Sequence, residues 1–186
     1  MNQLNPTVWR TCRALGGSTR VSLLRQILEC PGQNVSQLAE RLEIGISDAS
    51  QELRRLQSRG LLRRSCQGIS VVYLPIPDPQ VPSAAPLLQA LKDAFASEQE
   101  SDESIIRVAK ALGHERRISI VRALLQGPQS RQELSALSNT QLVTLKKHLK
   151  WLVDGGIVTR ANKKYSLHTS PGPLLAAWLK LLRSAS

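Results

Sequence analysis

Aromatic residues are scarce in this chain: three Trp, two Tyr and one Phe make up 3% of 186 residues. That shortage argues against a large sandwich or barrel and fits small cores of Leu, Ile, Val and Ala. It also weighs against single-stranded RNA as a partner, because reading unpaired bases needs aromatic stacking platforms. Cysteine is rarer still. Cys12, Cys30 and Cys66 are widely spaced and odd in number, so no disulfide framework is expected and a reducing cytoplasm fits. No apolar run reaches the roughly 18 residues that span a bilayer. The start, MNQLNPTVWR, lacks the basic-then-apolar order of a signal peptide. Phosphate-binding glycine loops of the GxGxxG and GxxxxGK[ST] types are missing, and no nucleophile stands in a pattern with a base. An enzyme is not expected, nor a cofactor, nor a membrane partner.

Acid is also in short supply. Against 25 Lys and Arg there are 14 Asp and Glu, a formal net charge of +11. Such an excess favours a polyanionic partner, nucleic acid ahead of a membrane surface. Hydrophobic residues, at 41%, suffice for one domain or two small ones.

What the chain does contain is itself, twice. RTCRALGGSTRVSLLRQILECPG (10–32) lies over RVAKALGHERRISIVRALLQGPQ (107–129). LRRLQSRGLLRR (53–64) lies over LKWLVDGGIVTR (149–160), and PLLQALKDAF (86–95) over PLLAAWLKLL (173–182). Three matches in one order imply two homologous domains, 1–98 and 99–186, joined through the polar stretch 97–104.

Each copy reads as the same series of elements. Val8, Cys12 and Leu15 follow helical spacing within a helix over 6–15 that stops at Gly16-Gly17. A second helix starts near Ser18, with Val21, Leu24 and Leu28 inward, and ends at Cys30-Pro31-Gly32. Asn34 with Gln37, and Ser130 with Glu133, have the spacing of capping boxes. They open short helices at 36–42 and 132–137. Longer helices follow at 46–58 and 141–154, with glycines Gly60 and Gly156 behind them in the stop position. Hairpins are expected at 61–75, turning near Gln67-Gly68, and at 157–168, turning near Asn162-Lys163. Helices at 86–96 and 173–183 close the copies, each with a proline in its first turn; the second copy opens with a helix at 104–112. The fold class is mainly α with small β-hairpin wings (α+β), in the order of a winged helix-turn-helix.

The residues also resemble one family. RALGGSTRVSLLRQIL and KALGHERRISIVRALL are similar to the opening "aLgdptRlrIL" of ArsR-type regulators. LAERLEIGISDASQELRRLQSRGLL is similar to that family's "LAerLglsqptvSrHLkvLreaGLv", and TLKKHLKWLVDGGIV covers the same ground in the second copy. The resemblance implies a sequence-specific regulator of double-stranded DNA that acts as a repressor. It also implies that the first and last helices form a dimer interface. With two copies in one chain, that becomes an intramolecular pseudo-dimer, and whole chains can pair further as a homodimer. The effector is not legible in the sequence, and the expected location is cytoplasmic, at the nucleoid.

In a helix-turn-helix the second helix enters the major groove. In copy one Ala49, Leu53 and Leu56 share an inward face, which leaves Ser47, Ser50, Gln51, Arg54 and Arg55 outward. Gln suits adenine and Arg suits guanine there. In copy two Leu145, Leu149 and Leu152 point inward; Val143, Thr144, Lys146, Lys147 and Lys150 point outward, the lysines suited to phosphate. His148 stands at the family's "HL" position, where it contacts DNA or packs locally; it is counted among the DNA-binding candidates. Wing residues Arg63, Arg64, Arg160, Lys163 and Lys164 are placed for backbone or minor groove.

The copies are not equal. Residues 105–186 carry 14 Lys and Arg against 3 Asp and Glu, whereas residues 1–104 carry 11 of each. Asp48 and Glu52 on the first groove helix are expected to repel phosphates, so copy two is expected to supply most of the affinity. The Cys-x-Cys pairs and Asp/His sets of metal-sensing members are missing, so no metal is expected. Cys12 and Cys30 read as buried thiols, and Cys66 as an exposed one in a wing, where oxidation is conceivable. The competing reading from another class is a tandem winged-helix interaction or scaffold module; such adaptors need no basic groove helix.

Overall fold

Local signals set the helix boundaries. In the computed structural model, which describes residues 8–97 and 100–184, the first helix, α1 (Val8–Leu15), buries Thr11, Cys12 and Leu15. The expected start at residues 6 and 7 lies outside the described residues. α2 (Ser18–Glu29) buries Val21, Leu23, Leu24 and Ile27. Asn34 then caps α3 (Val35–Arg41): its side chain accepts from the Gln37 N–H, and the Gln37 side chain accepts from the Asn34 N–H, both at 2.9 Å. This reciprocal pairing satisfies two of the backbone donors that a helix start leaves open. α4 (Ile46–Gln57) follows, then the antiparallel strands β1 (Arg63–Gln67) and β2 (Ser70–Leu74) and the helix α5 (Ala84–Ala96).

The order then recurs. α6 (Asp102–Leu112) is capped by Ser101 and starts two residues before the expected 104. α7 (Glu115–Leu124), the short strand β3 (Gln129–Ser130), α8 (Arg131–Leu137) and α9 (Leu142–Asp154) follow. Strands β4 (Val158–Ala161) and β5 (Lys164–Leu167) and the helix α10 (Pro173–Ser184) complete it. The Ser130/Glu133 capping box forms as its spacing predicts. Gly60 (φ +74°) and Gly156 (φ +71°) leave α4 and α9 in the left-handed conformation that a side chain disfavours. Asn162 and Lys163 both take positive φ (50° and 63°) at the second hairpin turn, as a two-residue type I′ connection requires. Strand β3 was not expected. It arises because the capping segment at Ser130 is extended and pairs with β5, giving the order β3-β5-β4. The first half has only a single bridge in the corresponding place, Asn34 to Val72.

The two series pack on one another. α1 lies against α6, α5 against α10, and α2 also against α6. Buried side chains from Cys12 to Leu182 form one continuous cluster, with Trp178 of α10 fully enclosed. The α1–α6 crossing is reciprocal. A Cβ placed on Gly16, just after α1, would lie 3.1 Å from Lys110 Cγ; one on Gly113, just after α6, would lie 3.2 Å from Arg13 Cα. Small residues at these two matched points let the backbones approach. Arg25 adds a polar tie: its Nε donates to Asp102 at 2.9 Å, and its guanidinium lies 4.3 Å from the centre of the Phe95 ring. The expected join between residues 98 and 99 lies outside the described residues.

Candidate nucleic-acid interface

Each half presents a helix, a tight turn and a second helix. Between α3 and α4 the chain passes through Glu43 at φ 53°; between α8 and α9 it passes through Asn139 at φ 47°. Both turns therefore bend at one left-handed residue in the same place, and in both cases the second helix is pinned by its apolar face. Ala49, Leu53 and Leu56 of α4 are fully enclosed; on α9, Leu145 and Leu152 are enclosed and Leu149 is 3% exposed.

The opposite faces are open. Ser47, Gln51, Arg54 and Arg55 of α4 are exposed and Ser50 is half-buried; Lys146, Lys147 and Lys150 of α9 are exposed and Thr144 is half-buried. At the start of α9, Leu142 and Val143 are also exposed, Val143 at 77%; such groups suit contact with a thymine methyl. In the hairpins Arg63, Arg64, Arg160, Lys163 and Lys164 are exposed. The guanidinium of Arg160 lies 5.6 Å from the Tyr165 ring centre. The tip of the first hairpin carries Ile69, wholly exposed.

One expected contact residue lies elsewhere. His148 is only 8% exposed and turns inward, its ring 4.7 Å from that of His114. The reason is register: residues 145, 148, 149 and 152 share one helix face, and that face is the packed one. His148 therefore belongs with the interior of α9: of its two expected roles, local packing is the one this geometry shows, and it is not placed for a groove contact. Burial, followed by the neighbouring His114, Arg117 and Arg116 charges, pushes the His148 pKa down. His114 moves the same way, through burial and then Arg117, Arg116 and Arg13, with Glu115 opposing. Its Nδ1 also accepts from the Arg116 N–H at 3.1 Å, capping α7, so the neutral ring is the one that fits.

Glu52 is a second departure from expectation. It is not a free negative charge on the groove helix. It pairs with Arg20 of α2 and with Arg55 three residues further along α4, and its side chain is 18% exposed. The pairing holds α4 against α2 and draws Arg55 toward the back of the helix. Asp48 remains exposed in the first turn. In the second half the arginine that corresponds to Arg20 is Arg117, and the place of Glu52 is taken by His148. Arg117 is buried, donates to the Lys110 carbonyl at 2.9 Å and lies 5.2 Å from the Trp151 ring centre. Its Nε has no partner. Desolvation pushes its pKa down. Arg20 and Arg117 stand at matched places of the repeated segment, but nothing in the sequence marks them as the residues that hold α4 and α9.

Cys12 is buried, Cys30 half-buried and Cys66 exposed, and burial raises the Cys12 pKa well above that of an open thiol. Among the described residues no group of His, Cys, Asp and Glu has the arrangement of a metal site, and no helix is long and apolar enough to cross a membrane.

The chain matches none of the curated proteins. Residues 18–66, which run from the start of α2 through α3 and α4 into β1, match the MarR family, a family of transcription regulators. The matched segment covers the first helix-turn-helix, and together with the hairpins behind both groove helices it supports a winged helix-turn-helix regulator.

Proposed function

We propose that the chain is a sequence-specific, double-stranded-DNA-binding regulator that acts as a repressor of ArsR-like type without a metal site. Its two halves, 1–98 and 99–186, are tandem copies that pair as an intramolecular pseudo-dimer. The observation that carries the DNA reading is α9. Its inner face is locked by three leucines, and its outer face presents Lys146, Lys147 and Lys150 beside Val143 and Thr144. Cations on that helix neutralise phosphates, and its first turn meets base edges. On α4, Ser47, Ser50, Gln51 and Arg54 offer base-reading groups, and Arg55 is shared with Glu52. Arg63, Arg64, Arg160, Lys163 and Lys164 serve as wing contacts.

Pairing of the copies is supported by the recurring element order, by the α1–α6 and α5–α10 packing and by the reciprocal approach at Gly16 and Gly113. Two unlike reading heads on one chain favour an asymmetric operator over a palindrome. The second half supplies most of the affinity, and the first adds specificity. Selection of bound sites from a random duplex library tests all of this at once. The expected product is an asymmetric site, bound with steep loss of affinity as salt rises. An interaction module in place of a regulator would show no duplex binding even at low salt.

A further inference from the structure

The groove helices each form one wall of a cleft against the first helix of their own half, and the two clefts are lined very differently. Between α6 and α9 the cleft measures about 750 Å³ and is largely apolar, with Trp151 in its wall and the carboxylates Glu103 and Asp154 beside its lysines; Lys150 is held by Asp154 at 2.7 Å. The corresponding cleft between α1 and α4 measures about 500 Å³ and is lined by Trp9, Arg10, Arg13, Arg20, Arg55 and Arg59, with serine and alanine completing the wall and no carboxylate.

We propose that this arginine cleft is a binding site for a compact phosphate-bearing anion. Five guanidiniums converge there, and the nearest acid, Glu52, is shared by Arg20 and Arg55 alone. Among the described residues Arg10, Arg13 and Arg59 have no ion-pair partner. Unpaired like charges crowded into one concavity repel one another, and an anion in the centre relieves that repulsion. Guanidinium groups match phosphate oxygens two at a time, which a lysine cluster does not. Arg10 lies 5.1 Å from the centre of the Trp9 ring, which tethers its guanidinium at the cleft wall.

The phosphate is that of a free ion and not of a DNA backbone. Base edges are met by the start of a groove helix, and Ser47 at that start is eight residues from Arg55, the cleft residue on α4, while Arg59 lies beyond the helix's end at Gln57. At 1.5 Å per residue the cleft begins about 12 Å along the axis from the reading end. There it joins α1, which packs on the other half, to α4, which reads DNA, so an occupant touches both the pairing helix and the reading helix.

The test is calorimetric titration of the full chain with pyrophosphate at low ionic strength and without DNA, so it succeeds or fails independently of the DNA reading. One ion per chain is expected. Arg13→Ala with Arg59→Ala should weaken binding by roughly tenfold or more, while Arg107→Ala with Lys110→Ala, in the other cleft, should leave it unchanged. Arg13→Lys with Arg59→Lys keeps charge and loses the fork, and should fall between the two. Thermal melts of each variant establish that it is folded. Absence of binding at millimolar pyrophosphate overturns the proposal, as does binding that ignores the Arg13/Arg59 pair. If the same pair instead lowers the salt dependence of duplex binding with no pyrophosphate bound, the cleft is a backbone contact and the free-ion site is refuted.

Discussion

Gly155, the residue that ends α9, is the point where the groove helix of the second half touches α6. Its backbone is ordinary right-handed (φ −76°, ψ −4°), so conformational freedom does not explain a glycine there. Space does. A Cβ would sit 2.4 Å from Ala111 Cβ and 3.1 Å from the Trp151 carbonyl oxygen. Ordinary carbon contacts lie near 3.5–4.0 Å, so the helices must part by about 1 Å. Neither can do so freely, because α6 also carries α1, α2 and α7. Overpacking of this kind costs about 1–3 kcal/mol. The lost freedom of the unfolded chain gives back about 0.4–1 kcal/mol for Gly→Ala. At a contact of 2.4 Å the cost falls in the upper part of that range, so Gly155→Ala should destabilise by about 1–2.6 kcal/mol, a fall in Tm of about 2–10 °C for a chain of this size. Urea and thermal unfolding measure it. Ala111→Gly placed in the same chain removes the clash, and the double variant should recover about 1 kcal/mol relative to the sum of the singles. If Gly155→Ala is neutral or stabilising, entropy alone governs the site and the close approach is not a constraint. Additivity in the cycle would refute the Ala111 contact specifically.

Three further outcomes are expected. Lys146→Ala and Lys147→Ala should each reduce the slope of log affinity against log salt for duplex DNA by about one and weaken all sequences alike; unchanged slopes in an electrophoretic titration would remove α9 from the phosphates. His114 and His148 both have lowered pKa values in the folded chain, so the unfolded chain takes up protons first. Stability is full above the ordinary histidine range near 6.5 and declines as pH falls through it toward the lower folded values. His148→Gln should flatten that decline in urea unfolding followed from neutral to mildly acidic pH, and an unflattened decline would assign it to other groups. Ser130→Ala removes the oxygen that caps α8 and should cost about 1 kcal/mol; a loss of a few tenths would mean that the Glu133 half of the box carries the cap.

Short-range features were legible in the sequence. Both capping boxes, the left-handed exits at Gly60 and Gly156 and the Asn162-Lys163 turn depend on neighbours within a few residues, and composition states them directly. The inward leucines followed from spacing alone. For His148 the motif position left DNA contact and local packing both open, and its place three residues after Leu145 on the packed face decides for packing. The arginine cleft was not legible in the same way. Arg10 and Arg13 stand three apart on α1, whereas Arg59 lies in the turn after α4, and only the fold brings these arginines into one cleft with Arg20 and Arg55. Strand β3 was lost for a different reason: two residues show no alternation, and their extended form is set by a cap and a partner strand.

The contrast between Arg20 and Arg117 ties these observations together. In a homodimer one substitution alters both reading heads, so an acid that clamps the groove helix is kept or lost in pairs. In a tandem chain, as proposed for this one, two such sites are free to change singly. The first half has a clamp, Arg20 to Glu52 to Arg55, and with it a carboxylate on α4. The second half holds the same arginine through a carbonyl and the Trp151 ring, and no carboxylate accompanies it among the described residues. With His148 in the corresponding place, α9 has lysines as its dominant charge, and the guanidinium of Arg117 has its Nε buried without a partner. A buried unsatisfied donor of this kind is expensive. On the proposed reading, its place in the half with the basic α9 fits a division of labour, one head for phosphate attraction and the other for reading.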